Sequence, residues 1–276
     1  MRIVITGSSG QLGQALQSTL RGRQLLLLDL PEHDLTDLDQ AQRSIAAFHP
    51  EVVIHAAAFT NVDLCESQPE TAYRVNALAT QNVALACQEC GAAMVYVSTD
   101  YVFDGVNNEP YWEWDAPNPQ SVYARSKLAG EEVTRSLLNH FYIVRTAWLY
   151  SRSGRNFVAS VLRLAAEREE LHFVTDEVGS PTYAPDLARA ISQLIARPIY
   201  GIYHLTNTGV CSRYEWAKAI LELAGRPDFP IFPMQGYQRA AHVPTRCELR
   251  NFFAAAQLGI TLRPWREALV DYFRAS

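Results

Sequence analysis

A tyrosine and a lysine four residues apart, Tyr123 and Lys127 in the stretch SVYARSK, have side chains that can act together on a carbonyl group. On a helix, residues at this spacing lie one turn apart on the same face. A phenol has a reference pKa of about 10, so it is a competent acid near neutral pH, and an adjacent cation stabilises the phenolate it leaves behind. The pair therefore predicts a proton donor with an electrostatic partner.

The lysine is unusual in this chain, because 22 of the 24 basic residues are arginine and only two are lysine. With 13 tyrosines and two lysines in 276 residues, chance predicts roughly 0.1 matches to Tyr-x-x-x-Lys. The chain contains a second match, Tyr214 and Lys218, so spacing alone does not identify the chemical pair. Ser212 and Glu215 form a capping-box pattern before this second pair. That pattern favours a structural Tyr214 and a surface Lys218 on an amphipathic helix.

A threonine at the end of a predicted strand extends the first pair into a candidate catalytic set. Residues 93–98 form an apolar run that ends at Ser98-Thr99-Asp100, and Thr99 precedes Tyr123 by 24 residues (123 − 99). Strand ends of an open α/β sheet face the ligand crevice. A strand-end hydroxyl alone is ordinarily structural, but beside Tyr123 and Lys127 we expect Thr99 to bond the same substrate oxygen.

Strand and helix patterns alternate along the first half of the chain, and these elements must position the residues above. Near-continuous apolar strands separated by helical patterns indicate an α/β fold, a doubly wound parallel sheet covered on both faces. We expect residues 1–150 to form a dinucleotide-binding Rossmann domain, with a later returning segment near 183–205. Residues 151–276 are expected to form mostly a smaller substrate-binding lobe. The predicted strands are 2–6, 24–28, 52–56, 93–98 and 142–146, and the predicted helices are 11–20, 39–48, 69–90, 121–138, 156–167, 184–196 and 214–224.

Three glycines, Gly7, Gly10 and Gly13, separate the first predicted strand from the first helix. Glycines at this junction let a backbone approach a pyrophosphate at a helix N-terminus, whose free N–H groups favour anions. Asp29 closes the second strand 22 residues after Gly7 (29 − 7), about where an acidic side chain accepts hydrogen bonds from an adenosine ribose. This placement favours NAD(H). Arg21 and Arg23 lie nearby in sequence, so NADP(H) stays open.

Composition narrows the classes of function. The formal net charge of −5 argues against a nucleic-acid partner, which would normally require a basic excess. The chain has no run near 18 consecutive apolar residues, so we expect no membrane span and a cytosolic protein. Five cysteines, an odd number, do not suggest a disulfide framework. Cys87 and Cys90 lack a second ligand pair at zinc spacing, and we interpret them as packing residues.

Several longer motifs resemble those of the extended short-chain dehydrogenases/reductases, and within them the dTDP-4-dehydrorhamnose reductase family. The resemblance spans nearly the whole chain. It implies NADH- or NADPH-dependent reduction of the C4 keto group of a dTDP-4-keto-6-deoxyhexose, with a dTDP-sugar as substrate and a monomer or homodimer as the assembly. The motifs are GSSGQLG, HAAAFTNVD, VSTDYVFDG, VYARSKLAGE, VRTAWLY and DEVGSPTYAPDLA.

The resemblance also implies roles for individual residues. Tyr123 would protonate the substrate oxygen, Thr99 would hold it, and Lys127 would lower the tyrosine pKa and bind the nicotinamide ribose. Asp100 and Trp148 would contact the sugar nucleotide. The remaining cofactor contacts would be Gly10, Gln11 and Leu12 at the pyrophosphate, Asp34 and Leu35 on the adenine side, and Ala58, Phe59 and Thr60 along the inner half.

The chain departs from the family pattern at three places. Ser121 and Ala124 stand where an Asn and a Gly are common. Residues 243–249, VPTRCEL, replace an Arg-Pro-x-x-Ser-x-Leu-like segment. If that segment holds the nucleotide diphosphate, we expect either that His242 or Arg246 compensates or that the substrate differs. Some relatives bridge a dimer through a metal held by a carboxylate of the first helix. This chain has Gln14-Ala15 there, and we expect no such metal.

Two other functions remain open at this stage. A sugar-nucleotide epimerase or dehydratase shares the Tyr, Lys and Thr but keeps its NAD bound through a complete cycle. A non-catalytic dinucleotide-binding subunit, like the regulatory subunit of methionine adenosyltransferase, would share the fold alone. The C4 stereochemistry, the nucleobase and the cofactor preference also stay open.

Overall fold

The computed structural model describes residues 1–274, which form the following elements. The strands are β1 (Arg2–Thr6), β2 (Gln24–Leu28), β3 (Val52–His55), β4 (Ala93–Thr99), β5 (Phe141–Thr146), β6 (Leu149–Tyr150), β7 (Leu171–Val174), β8 (Val178–Gly179), β9 (Thr182–Tyr183), β10 (Gly201–His204), β11 (Cys211–Ser212), β12 (Ile231–Met234) and β13 (Arg246–Cys247). The helices are α1 (Gln11–Thr19), α2 (Leu38–Phe48), α3 (Val62–Ser67), α4 (Pro69–Tyr73), α5 (Ala79–Cys90), α6 (Val122–Leu137), α7 (Phe157–Glu167), α8 (Ala184–Leu194), α9 (Arg213–Leu223), α10 (Phe252–Leu258) and α11 (Trp265–Arg274).

Six strands form one parallel sheet in the order β2-β1-β3-β4-β5-β10. The interior strands are buried on both faces, as their continuous apolar sequences require. One face packs on α1 and α8 through Leu16, Leu187 and Ile191. The other face packs on α2 and α5 through Ile45 and Val83. The predicted doubly wound α/β fold is confirmed.

The predicted helix over residues 69–90 is divided in the structure. A π-helical turn, Arg74–Leu78, separates α4 from α5. Its fully buried Asn76 accepts a hydrogen bond from Phe59 N at 2.8 Å and donates to Phe59 O at 3.1 Å and to Ser126 Oγ at 2.9 Å. Single π turns of this kind frequently mark functional sites. Here the turn ties the segment after β3 to α6.

The returning segment completes the sheet. β10 pairs in parallel with β5, and α8 packs against α1. The remaining elements build a separate core on α7, α9 and α11, with Trp216 at its centre. The division at residue 150, with a return near 183–205 and a lobe over most of 151–276, stays a prediction about domain organisation.

Candidate active site

The first position of the glycine-rich loop, Gly7, requires glycine. Gly7 has φ +64°, and a Cβ there would lie 2.7 Å from the Ala57 Cα. Left-handed backbone and such a close approach both exclude larger residues. The loop leads into α1, whose cap residue is Gly10. The Asp29 carboxylate accepts hydrogen bonds from the Ser9 amide, at 2.8 Å, and from the Ser9 hydroxyl, so it holds the loop against the end of β2.

Two cavities meet at this loop, and they bring most of the predicted site residues together. The central cavity, about 510 Å³, extends from the loop to the carboxyl ends of β4 and β5, and the β2 cavity, about 250 Å³, extends along the end of β2. Phe59 lines neither of them; its side chain packs against the apolar cluster of Cys65, Ala72 and Val122. The central cavity is lined by Gly7, Gly10, Gln11, Leu12, Gly13, Ala58, Thr60, Thr99, Asp100, Tyr123, Lys127 and Trp148; Gly7, Gly10 and Ala58 also line the β2 cavity, with Asp29, Asp34 and Leu35.

These cavities suit a dinucleotide in size and in chemistry. Among the described residues, three side chains of the central cavity have a buried polar atom without a protein partner: Gln11 Oε1, Asp100 Oδ2 and Thr146 Oγ1. Buried polar atoms are normally hydrogen-bonded, so orphans that face one cavity indicate a polar ligand. The loop supplies the close backbone approach that a pyrophosphate requires. The residues present therefore fit a nicotinamide dinucleotide.

Helix α6 presents Tyr123 and Lys127 to the central cavity. Ser121 is its N-cap and accepts a hydrogen bond from Ala124 N at 3.2 Å. Both residues are buried. Because serine caps a helix about as well as asparagine, the departure at Ser121 keeps the first turn of α6 in place. Tyr123 lies in that turn, with its ring edge-to-face against Tyr101.

Lys127 lies one helical turn after Tyr123, in a niche at the wall of the central cavity. Its side chain is almost fully buried, and its Nζ donates to Val97 O at 2.8 Å. The same nitrogen lies 4.1 Å from the centre of the Tyr96 ring. Tyr96 is itself fixed, because its hydroxyl donates to the Lys127 carbonyl at 3.1 Å. One carbonyl and one ring face hold the ammonium, which suits a compact cation better than a guanidinium.

Burial dominates the electrostatics of the site. It lowers the pKa of Lys127 to about 7, against the opposing field of Glu131. It raises the pKa of Tyr123 well above the usual value, against a hydrogen bond with Thr99, so the phenol stays protonated near neutral pH. Burial also raises the pKa of Asp100 to about 7, with the hydrogen bond that Thr99 Oγ1 donates to Asp100 Oδ1, 3.0 Å, acting in the opposite direction.

A buried ion pair supports α6 from below. Arg145 on β5 donates to Glu131 Oε1 at 3.0 Å and to Oε2 at 2.7 Å, and both side chains are 2 % exposed. Ser98 on β4 also donates to Glu131. Bidentate geometry offsets the desolvation of both charges. The pair therefore fixes α6, one turn beyond Lys127, onto the two strands that carry the site.

Trp148 lies where the central cavity meets a third one. Its φ is +45°, which is uncommon for a residue with a side chain. Its ring stacks on Trp216 at 5.6 Å between centroids, and the Arg213 guanidinium lies 3.5 Å above it. The third cavity, which we call the lobe cavity, encloses about 730 Å³ between Trp148 and β7.

Two arginines that belong to no recognisable motif also line these cavities. Arg213 lines both the central and the lobe cavity, and Arg155 lines the central cavity beside the glycine loop. The pair Tyr214 and Lys218 lies on α9, outside the central cavity, and the predicted capping box of Ser212 and Glu215 is confirmed. Neither residue expected to compensate for the altered segment, His242 or Arg246, lines the central or the lobe cavity.

Metal and membrane features are absent from the described part of the chain. Among residues 1–274, no group of three His, Cys, Asp or Glu side chains is placed to hold a metal ion. No helix in this range is long and apolar enough to span a bilayer.

A Tyr–Lys helix that faces a glycine-rich dinucleotide cradle, with a strand-end threonine beside it, places the molecule among the short-chain dehydrogenases/reductases. Within this class the chain belongs to the family described as RmlD substrate binding domain, whose model matches residues 1–276.

The relatives agree in sequence and in structure. A dTDP-4-dehydrorhamnose reductase of Mycobacterium tuberculosis is 42 % identical over 289 residues, which cover 99 % of this chain and 93 % of that protein. A crystal structure of such a reductase from Clostridium acetobutylicum has a TM-score of 0.97 at 40 % identity, with 100 % of this chain and 99 % of that chain covered. A structure of the Bacillus anthracis reductase in complex with NADP has a TM-score of 0.96 at 39 % identity and the same coverage.

Proposed function

We propose that this protein reduces the C4 keto group of dTDP-4-dehydro-6-deoxy-L-hexose (dTDP-4-dehydrorhamnose) to the alcohol, giving dTDP-L-rhamnose or a close deoxysugar, with NADH or NADPH as reductant. The observation that carries the proposal is the convergence of Thr99, Tyr123 and Lys127 in a cavity that continues into the glycine-rich loop. Full-length identity to reductases of this activity supports it.

A bound nicotinamide cofactor would supply the hydride. The residues of this chain would bind the cofactor, orient the substrate and supply the proton. Gly7 and Gly10 let the backbone approach the pyrophosphate. Asp29 and the β2 cavity receive the adenosine end, and Lys127 lies close enough to the central cavity to bond a ribose hydroxyl.

Tyr123 acts as the proton donor in this mechanism. Its raised pKa keeps a proton on the hydroxyl at neutral pH, where the C4 oxygen needs one. The phenolate left behind is stabilised by the Lys127 cation, as a nearby positive charge favours the ionised form. The Thr99 hydroxyl has one proton, which it donates to Asp100 in the structure. When it turns that proton to the C4 oxygen, it holds the substrate oxygen in line with Tyr123.

Asp100 and Trp148 border the space left for the sugar. The unpartnered Oδ2 of Asp100 is an acceptor, or a donor when protonated, for a sugar hydroxyl. The Trp148 ring borders the central cavity where it meets the lobe cavity. These two residues orient the hexose between the acid and the cofactor.

The cofactor preference, the cytosolic location and the choice between monomer and homodimer stay predictions. The Asp29 carboxylate lines the β2 cavity and favours a free ribose 2′-hydroxyl. Neither Arg21 nor Arg23 lines that cavity.

The test is to incubate the protein with dTDP-glucose, an upstream 4,6-dehydratase and a 3,5-epimerase, with NADH and NADPH in separate reactions, and to identify the sugar formed. We expect a 4-hydroxy product and stoichiometric oxidation of the reductant. Tyr123→Phe should lower kcat by roughly 100-fold or more, whereas Tyr214→Phe, the matched control, should leave it unchanged. Full activity of Tyr123→Phe would refute the mechanism. Tightly bound NAD in the purified protein, with no net oxidation of NADH or NADPH, would favour an epimerase or dehydratase instead.

A further inference from the structure

Two arginines share one carboxylate at the junction of the central and the lobe cavity. Glu177, 8 % exposed, accepts from Arg213 Nε at 3.3 Å through Oε2 and from Arg239 Nη2 at 2.6 Å through Oε1. Two cations against one anion leave a net positive charge at this point. Because the three groups are mostly buried, their field is screened less than that of surface charges.

Arg213 is held at the junction from several sides. It is the first residue of α9, directly after the Ser212 N-cap, and its guanidinium lies 3.5 Å over the Trp148 ring and 5.0 Å from the Phe157 ring. A guanidinium stacked on aromatic faces has little freedom left to lose when a ligand binds. Arg213 is thus oriented in advance, and it borders both cavities.

Arg239 reaches the junction from a segment that is fixed on either side of it. The Gly236 amide donates to Asp176 at 3.0 Å, and the Ala241 amide donates to Asp63 at 3.0 Å. Asp63 belongs to α3, beside the cofactor half of the molecule, whereas Asp176 belongs to the lobe. The segment therefore crosses between the two parts and brings Arg239 to the lobe cavity.

Each cavity has side chains that suit one end of a nucleotide sugar. The lobe cavity is lined by apolar and aromatic side chains, among them Phe157, Phe173 and Met234, together with the charged Arg168 and Glu170, and its volume of about 730 Å³ is in the range for small-molecule sites. The central cavity is polar around Thr99 and Tyr123. A ligand that places a sugar beside Tyr123 and a planar base in the lobe cavity must place its connecting group at Arg213.

We propose that Arg213 and Arg239, oriented by Glu177, bind the diphosphate that joins the sugar to the nucleoside of the substrate. This inference rests on the proposed function, because it takes the substrate to be a nucleotide sugar. Guanidinium groups bind phosphate oxygens in forked, bidentate geometry. Two of them suit the two phosphates, and Glu177 holds both arginines in position before the substrate arrives.

Among the described residues, Glu177 pairs with Arg213 and Arg239 and with no other arginine, including Arg168, which also lines the lobe cavity. Arg246 is paired with Glu248, 3.5 Å between Nη2 and Oε2, on β13, and His242 is exposed outside both cavities. Arg155 lines the central cavity but not the lobe cavity, on the side of the glycine loop. Arg246, the one cation of the altered 243–249 segment, lines neither cavity, so the cations at the junction come from α9 and from the segment before His242.

The experiment measures binding of dTDP and of thymidine by calorimetry to the full-length protein and its variants. We expect Arg213→Gln and Arg239→Gln each to weaken dTDP binding by about 10- to 100-fold, the range for loss of one charge-assisted contact, and to change thymidine binding by less than about threefold. Arg246→Gln is the matched control and should bind dTDP like the wild type. In the double variant, dTDP affinity should also depend less on salt than in the wild type.

Steady-state kinetics give an independent readout. Arg239→Gln should raise KM for the sugar nucleotide by about 10-fold or more while leaving NADPH binding unchanged, and Arg239→Lys should recover part of the loss. Melting temperatures verify that Glu177, left with one partner, has not unfolded the lobe. Wild-type dTDP affinity in both glutamine variants, or equal losses for dTDP and thymidine, would overturn the diphosphate assignment while reduction by the wild type upheld the proposed function. A wild type that neither binds dTDP nor reduces the sugar would overturn both.

Discussion

The protonation of Lys127 should control the pH dependence of the reaction. Its ammonium has one carbonyl and one ring face as partners in a niche that is 2 % exposed, and burial lowers its pKa to about 7. A lysine with a lowered pKa is charged below that value and neutral above it. Reduction needs the charged form, because only the cation stabilises the Tyr123 phenolate.

The size of the effect follows from this pKa. Above about pH 7 the protonated fraction of Lys127 falls by about tenfold for each further pH unit, so activity at pH 9 should be roughly 100-fold below its plateau. Tyr123 does not titrate in this pH range, because its own pKa is raised, so it adds no second decline to the pH–activity curve. The parameter to measure is kcat/KM for the reduced cofactor that the enzyme uses, NADH or NADPH, between pH 5.5 and 9.5; it reports ionisations of the enzyme before the cofactor binds.

Two variants identify the group that titrates. Lys127→Met removes the charge, so the residual activity should be low and flat above pH 7. Lys127→Arg keeps the charge at all these pH values but places a larger cation in the niche, so activity should fall by at least about tenfold and lose the alkaline limb. Asp100, whose pKa is also near 7, is tested with Asp100→Asn, which should keep the limb. An unchanged alkaline limb in Lys127→Arg would refute the assignment.

Three further predictions concern stability. Burial and Arg145 lower the pKa of the buried His204 to about 3. The free energy of unfolding therefore decreases as pH falls below 6.5, by about 2 kcal/mol at pH 5. In urea unfolding, His204→Gln should lose less stability over this range than the wild type or the control His242→Gln. Glu131→Gln leaves Arg145 without its anion and should destabilise by about 3–5 kcal/mol; a loss below about 1 kcal/mol would contradict the role of the pair. Ser121→Ala should cost about 1 kcal/mol and lower kcat, whereas Ser121→Asn should retain both; equal effects of the two changes would exclude capping as the cause.

Periodicity and turn chemistry predicted the elements of the sheet well. Apolar runs such as residues 93–98 are local patterns, and so is the capping box at Ser212, which the structure contains as predicted. The π-helical turn in residues 74–78 could not be predicted in this way. It depends on Asn76 bonding a loop after β3 and a serine on α6, which are tertiary contacts without a local signature.

In the candidate site, too, the residues with local patterns could be predicted and those that depend on tertiary contacts could not. The sequence identifies Tyr123, Lys127 and Thr99 because they occur in short motifs at the ends of helices and strands. The Glu131–Arg145 pair was not, since it joins a helix to a strand through geometry that spacing does not encode. Phe59 is a different case. The motif predicts cofactor contacts for the whole segment 58–60, but Phe59 lines neither cavity.

The second Tyr–Lys match shows why a residue's local setting matters more than its motif. Tyr214 and Lys218 have the spacing of a catalytic pair, yet they lie on the outer part of α9, away from Thr99 and the glycine loop. The residue just before them, Arg213, carries no motif but faces both cavities. Its position follows from the Ser212 cap, which fixes the first turn of α9, and from Trp148, whose ring supports the guanidinium. A capping box is usually interpreted as a structural signal alone. Here the cap also determines where the Arg213 cation lies, because Ser212 ends β11 and Arg213 begins α9 directly after it.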